Sequence, residues 1–399
     1  VPLPSLRAFA RLGHGAWLLL AGCTTTRATS RAPDREPRWV LPTTVADSTR
    51  SERLAPGVWL HHLVRTTGPL RAHVLDIDLT SCVSLRALKG SPTAVGRITT
   101  SALLQQLPAA DAPIAAVNAD FFLFAPPGVP AGALVVDGDL LAGPIDRPVL
   151  AFDDRRTPYI GRLRAAGTVT SRRGRMPLVT WNRPSASALG VVDAAWGQAL
   201  DSLSRPTALQ LVPIPASGDR RYRVAALTPT HTGQARGDTL ILVGQRRGAT
   251  DALREGDTVR VEMGLSPLFP RTAVGGFPML VRDSVIVPTV DSAGAASFRG
   301  VNPRTAVGYA QNGQRLLLVV IDGRQAGYSV GTTTRETAAL LRDLGAREAV
   351  NLDGGGSTAM VVRDAASGAI RVVNKPSDAA GERPVGNALA VTGRCARTD

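Results

Sequence analysis

The chain has 399 residues, of which 44% are hydrophobic, 20% charged and only 4% aromatic, with 40 glycines and 29 prolines. This is ordinary globular composition whose core must rest on Val, Leu, Ala and Ile, and its many turn residues favour a loop-rich β or mixed α/β protein over a helical bundle. The formal net charge is +14, carried almost wholly by arginine, since lysine occurs only at Lys89 and Lys375; the arginines lie along the whole chain with no basic helix and no interleaved aromatics, which argues against nucleic acid as a partner and leaves a phosphate-bearing substrate compatible.

Residues 1–22 read as a signal peptide. Arg7 and Arg11 precede the apolar run Ala16-Trp17-Leu18-Leu19-Leu20-Ala21, which is too short to span a bilayer comfortably. The run ends in Leu20-Ala21-Gly22-Cys23, which resembles a bacterial lipobox. Cys23 is therefore the expected lipidation site, and the protein is expected to be exported and held on the envelope membrane by its N-terminal lipid. Residues 23–53, rich in Thr, Ser, Arg and Pro, read as a flexible tether. Residues 54–399 read as the folded domain, with a strand-rich variable region at about 150–270. Cys82 and Cys395 are the thiols that remain after lipidation, and an exported protein is expected to join them as a disulfide. The sequence has no Cys-x-x-Cys, no histidine pair at metal spacing and no Gly-x-Ser-x-Gly elbow, so neither a metal nor a cofactor is expected.

Val58 to Val64 and Ala72 to Leu79 read as strands, and Thr99 to Leu107 as a short helix. Ile114-Ala115-Ala116-Val117 is a buried strand that runs into Asn118-Ala119-Asp120. Leu134-Val135-Val136 followed by Asp137-Gly138-Asp139 signals a hairpin. In the last third, Thr305 to Tyr309 leads through Asn312-Gly313 into the apolar strand Leu316 to Ile321, which ends at Asp322-Gly323-Arg324. Thr333 to Leu344 is a helix with Glu336 in its first turns and Gly345 as its stop. Ala349 to Asp353 is the next strand, and it opens into Gly354-Gly355-Gly356-Ser357. The expected fold class is α+β: a mixed, β-rich sheet architecture with a strand–helix–strand unit in the C-terminal third, its two strands neighbouring and parallel.

Polar clusters stand out at Asn118 with Asp120, at Asn302-Pro303-Arg304, at Asp322-Gly323-Arg324 and at Asn351-Leu352-Asp353 with the glycine run. A carboxylate at the end of a buried strand is poorly solvated and needs a partner, and arginine meets carboxylate or phosphate with two parallel hydrogen bonds. Gly354, Gly355 and Gly356 permit close approach of backbone to a ligand, and their N–H groups with Ser357 can cradle an anion. Each cluster alone reads as a turn; their conjunction suggests one cleft.

These segments resemble the phosphodiester glycosidase family. The resemblance rests on Val117 to Phe122, Gly275 to Val281, Asn302 to Gly308, Ile321 to Gln325, Tyr328 to Gly331, Asn351 to Thr358, Val373 to Ser377 and Glu382 to Leu389. It implies hydrolysis of a sugar-1-phosphodiester to free sugar and phosphomonoester. In an exported lipoprotein the material would be cell-envelope or exopolysaccharide phosphodiesters. Asp322, Asp353 and Asp120 are the candidate catalytic residues, with the choice of base or nucleophile left open between Asp322 and Asp353. Asn118, Arg304, Arg324, Asn351, the three glycines and Ser357 are the candidate substrate-binding residues. A non-catalytic glycan-binding lipoprotein and a metal-dependent phosphodiesterase that cuts the P–O bond are the competing readings. The sequence does not address the oligomeric state.

Overall fold

A computed structural model describes residues 37–153, 156–185, 188–197, 207–215, 220–225, 234–244 and 253–393. Cys23, Cys395 and residues 1–22 lie outside them. The turn expected at Asn312-Gly313 joins the two middle strands of the main sheet. Both residues adopt positive φ, 53° and 83°, the geometry that lets a tight turn join twisted antiparallel strands. Arg304–Ala310 and Arg315–Ile321 thereby pair in register. Leu70–Asp78, Val58–Arg65 and Ser48–Ala55 add to one side, and Glu348–Asn351, Met279–Arg282 and Val285–Ile286 to the other, giving an eight-stranded sheet. The first of these strands begins at Ser48, before the expected domain start at 54, and Arg38 donates to the Asp78 carboxylate at 3.0 Å.

Both faces of this sheet are covered, so its central strand 315–321 is apolar without interruption from Leu316 to Ile321. Alternation sends Leu75, Ile77, Leu316, Leu318 and Val320 to one core, and Ala72, Val74, Leu317, Val319 and Ile321 to the other. The second core is closed by the helix Thr334–Asp343 through Ala338 and Leu341. Its start is a capping box between Thr333 and Glu336, and Gly345 follows its end at φ 94°. The first core is shared with two five-stranded sheets. One runs Ile370–Val372, Met360–Arg363, Pro113–Asn118, Ala388–Thr392, Ser84–Leu88, all antiparallel. The other contains the expected hairpin Leu134–Val136 and Asp139–Ala142, with Thr272–Gly275, Pro148–Phe152 and Pro158–Arg162. Strands between Arg164 and Ser266 form a separate eight-stranded sheet around Val169, Leu211, Leu242 and Val261.

The fold is thus β-rich α+β. The strand–helix–strand expectation needs one correction. Strands 315–321 and 348–351 are parallel to each other but are not neighbours, because strand 304–310 lies between them and pairs antiparallel with both. The tight Asn312-Gly313 turn puts strand 304–310 in the position that the crossover would otherwise have filled. Cys82 is disulfide-bonded. Its partner lies outside the described residues; Thr392, in the last strand, pairs with Ser84, so the C-terminus leaves the sheet beside Cys82.

Candidate active site

Since strands 315–321 and 348–351 are parallel, Asp322 and Asp353 leave the sheet on the same side, and Arg304 opens strand 304–310 there. The second sheet brings strand 113–118 to this edge. Asp353 N–H donates to Ala119 O at 2.8 Å, and Asn118 Nδ2 donates to Asp353 O at 2.7 Å. Two strand ends from different sheets are thus joined back to back, which places Asp120 and Asp353 in one site.

Asp120 is 1% exposed, and its Oδ2 accepts from Gly132 N–H at 2.6 Å while Oδ1 has no partner. Burial pushes its carboxyl up to about 7, with the negative Asp353 adding to the rise and Gly132 N–H, Arg183 and Arg147 opposing it. Asp353 is half-buried. Burial raises it to about 6, against hydrogen bonds from Ser357 and Gly354 N–H and the charge of Arg383. The surroundings leave no slack: a Cβ on Gly275 would stand 2.5 Å from Asp120 Oδ2, and one on Gly132 would stand 3.0 Å away. Two carboxyls raised toward neutrality in one site can divide proton donation and acceptance between them.

Several residues expected to bind substrate instead position this pair. Asn118 is fully buried, and beyond its bond to Asp353 O, its Oδ1 accepts from Thr305 Oγ1 at 2.7 Å and Ala359 N–H at 3.0 Å. Arg304 is 2% exposed and donates to the carbonyls of Thr332, Phe298 and Gly300. Burial and the nearby Arg324 lower it to about 10; it clamps the loop carrying Asn302 and does not face the site as a free fork. Asn351 donates to Phe277 O and Leu352 O, and its buried Oδ1 lacks a partner. Asp322, expected as a catalytic candidate, is saturated: Oδ1 accepts from Lys375 N–H at 2.9 Å and Asn374 Nδ2 at 3.2 Å, and Oδ2 contacts Tyr328 Oη at 3.2 Å and His73 Nε2 at 3.3 Å. With both oxygens held by donors, it serves as an anchor rather than a free base.

The glycine run also departs from expectation. Gly354 N–H holds the Asp353 carboxyl, Gly355 N–H donates to Pro303 O, and Ser357 and Thr358 N–H close a tight turn onto Gly354 O and Gly355 O. The N–H groups of Gly354, Gly355 and Ser357 are therefore engaged, which leaves only that of Gly356 for an anion cradle. The glycines are needed for packing: a Cβ on Gly354 would meet Pro303 O at 2.7 Å, Gly355 has φ 61°, and Gly356 lies under the Arg383–Asp378 ion pair. Arg324, exposed and itself at φ 60°, stacks beside Gly355 and donates to Asn302 Oδ1 at 2.8 Å. It is the arginine best exposed to receive an anion.

The sequence reading missed Arg183, Arg147 and Arg383 as charges around the carboxyl pair, and Asn387, whose Oδ1 accepts from Asp120 N–H at 2.9 Å. Arg383 and Asn387 stand in a segment that carries the family resemblance; nothing local marks Arg147 or Arg183. Phe121, Phe277 and Phe298 form a tilted aromatic cluster on these same loops. A separate cleft of about 1110 Å³, lined by Lys89, Asp139, Trp181, Tyr222 and Phe269, includes none of the site's carboxylates.

The site thus holds two carboxyls raised above their ordinary range, with Arg147 and Arg183 near Asp120 and Arg383 near Asp353. Residues 229–392 match the model of the phosphodiester glycosidase family, so the resemblance read from the motifs is shown over that span; it contains Arg304, Asp322, Arg324 and Asn351 to Ser357, while Asn118 and Asp120 lie before it. A hypothetical protein from Synechocystis has the same fold, with TM-score 0.69 and 24% identity over 86% of this chain; the chain spans 63% of that protein. A putative exported protein from Burkholderia pseudomallei gives TM-score 0.63 and 28% identity, covering 82% of this chain and 75% of that one. The catalytic domain of zebrafish N-acetylglucosamine-1-phosphodiester alpha-N-acetylglucosaminidase, auto-inhibited by its pro-peptide, aligns over 89% of this chain and 94% of that one at 15% identity and TM-score 0.41. No curated protein matches the chain significantly.

Proposed function

We propose that the protein hydrolyses the bond between a sugar's anomeric carbon and a phosphate, releasing free sugar and a phosphomonoester. The observation that carries this reading is the pair of buried Asp120 and half-buried Asp353, raised to about 7 and about 6, within a site whose C-terminal part matches the phosphodiester glycosidase family model. Near neutral pH the two groups divide the work. Asp353, partly open to solvent and held in its charged form by Ser357 and Gly354, activates water or attacks the anomeric carbon. Asp120, enclosed and raised to about 7, holds a proton in a large share of the molecules near neutral pH, which limits the negative charge in the site and stores a proton for the departing group. A phosphate leaves readily, so the larger electrostatic task is to neutralise it, and Arg324 with Arg383 supplies that charge.

The expected lipid anchor at Cys23 would bring this chemistry to the bacterial envelope, where teichoic-acid-like, capsular or exopolysaccharide phosphodiesters are the substrate class. A Cys23→Ser variant that fractionates with the membrane as before would remove that part. The reaction itself is tested by turnover of an aryl sugar-1-phosphodiester in heavy-oxygen water. Label in the sugar is the expected result. Label in the phosphate would mean P–O cleavage and overturn the assignment, and absence of turnover would favour a glycan-binding role.

A further inference from the structure

The hydrolysis as described makes no use of buried His73 and half-buried His62 on the central sheet. His62 and His73 are direct partners across neighbouring antiparallel strands, so their side chains share a face. Their Nδ1 atoms lie 2.9 Å apart and the rings meet edge-on at 85°. His73 Nε2 is 3.3 Å from Asp322 Oδ2. His62 Nε2 has no hydrogen-bond partner and stands 3.8 Å from Glu52 Oε1.

These contacts fix where the protons are. A neutral imidazole carries one N–H and one lone pair. His73 Nε2 faces a carboxylate oxygen, so it must carry the proton, and His73 Nδ1 is then the acceptor. His62 Nδ1 must therefore donate, which leaves His62 Nε2 bare. One added proton is accommodated: His62 Nε2–H would then point toward Glu52, or His73 would carry both protons and donate to His62. A second proton is not, because both Nδ1 atoms would carry hydrogens at 2.9 Å.

We propose that His62 and His73 act as one tautomer-locked unit that positions Asp322 and, through it, the segment supporting Asp353, and that this unit accepts a single proton on acidification. The path to the reacting carboxyl is continuous. Asp322 Oδ1 accepts from Asn374 Nδ2, the same amide donates to Thr358 O at 3.2 Å, and Thr358 follows Ser357, whose hydroxyl holds Asp353. The groups facing the unit are Arg50 and Glu52 on the outer strand, Arg371 from the second sheet paired to Glu52, and Asp322 with Tyr328, whose ring lies between Arg71 and Lys375. Burial, then His73 and Arg50, lower His62 to about 4, and only Glu52 opposes them. His73 and His62 are thus positioning residues; neither contacts the reacting atoms.

The kinetic part rests on the proposed hydrolysis, so the test includes a measurement independent of activity. Nitrogen-15 NMR of histidine-labelled protein at pH 7 should show His73 protonated on Nε2 and His62 on Nδ1. Titration from pH 7 to pH 4 should add no more than one proton to the pair. In His73→Phe the acceptor for His62 Nδ1–H is gone, and His62 should show mixed tautomers, whereas in His62→Phe the Asp322 carboxylate should keep the His73 proton on Nε2. Reversed tautomers, two protons taken up above pH 4, or a His62 spectrum unchanged in His73→Phe would overturn the unit. In the kinetic arm, His73→Phe should lower kcat about tenfold with KM nearly unchanged, the scale of a small misplacement of a reacting group, and His73→Gln should recover part of the loss through its amide donor. Equal loss in both variants, or a change in KM alone, would refute positioning. A wild-type protein without turnover would count against the hydrolase while the NMR result still decides the pair.

Discussion

Removing the Ser357 hydroxyl should move the acid limb of the pH–rate profile without removing any reacting group. Asp353 sits at about 6 because burial raises it and the hydrogen bonds of Ser357 and Gly354 restrain the rise. A hydrogen bond to a charged group contributes about 1.5–3 kcal/mol, and one pKa unit corresponds to about 1.4 kcal/mol. Ser357→Ala should therefore lift Asp353 by about one to two pH units, to or beyond the roughly 7 of Asp120. At pH 6.5 the ionised fraction of Asp353 would fall from roughly three-quarters to between roughly 3% and 24%, a loss in kcat/KM of about three- to twenty-five-fold. Raising the pH would restore Asp353 but deprotonate Asp120, so the peak activity should fall as well as shift. The assay is kcat/KM for an aryl sugar-1-phosphodiester from pH 4.5 to 9, with circular dichroism to show the fold intact and Asp353→Asn as an inactive control, down by about a hundredfold or more. An acid limb at the same pH in Ser357→Ala and wild type, with equal peak activity, would show that Asp353 is not the group titrating.

Asp120→Asn should lose most activity yet gain stability at high pH. Burial holds the folded pKa above the unfolded one, so Asp120 favours folding below about 4, and that contribution is lost as pH rises through about 7. The stability gain should be near zero at pH 4 and of the order of a few kcal/mol at pH 8, and thermal denaturation showing an equal gain at both would contradict this. Gly275→Ala places a Cβ 2.5 Å from Asp120 Oδ2 and 2.8 Å from Gly132 Cα; it should cost about 1–3 kcal/mol in urea denaturation, and an unchanged midpoint would mean the close contact is not rigid. On the opposite face of the sheet, burial alone would raise Asp76, but His61, 3.7 Å away, and the two hydrogen bonds from Arg315 outweigh it and hold the carboxyl below its usual value. That contribution is present at neutral pH and is lost as pH falls through the folded pKa. Arg315→Met should cost about 3–5 kcal/mol at pH 7, less in acid, and Asp76→Asn combined with it should recover much of the loss; no recovery would place the effect in packing alone.

Local sequence was sufficient for the elements near the site. The helix 334–343 with its Thr333–Glu336 box and Gly345 stop, the Asn312-Gly313 hairpin and the buried strand 113–118 all follow from short-range rules. The clusters at Asn118–Asp120, Asp322–Arg324 and Asn351–Ser357 were legible because polar residues at the ends of apolar strands require explanation. Their roles were not. Whether a side chain faces the cleft or its own support depends on which donors surround it, and those come from distant segments. Asp322 is held by Asn374 and Lys375, the Nε and Nη2 of Arg304 by carbonyls at 298, 300 and 332, and the Gly354, Gly355 and Ser357 amides by Asp353, Pro303 and their own turn. Strand order, too, was a tertiary matter: strand 304–310 separates two strands that the sequence suggested were neighbours. The sequence by itself determined which segments are strands and where their charges end. The packing of two sheets through Asn118 and Asp353 decided which carboxyls share a site, because desolvation and charge coupling act through space and not along the chain.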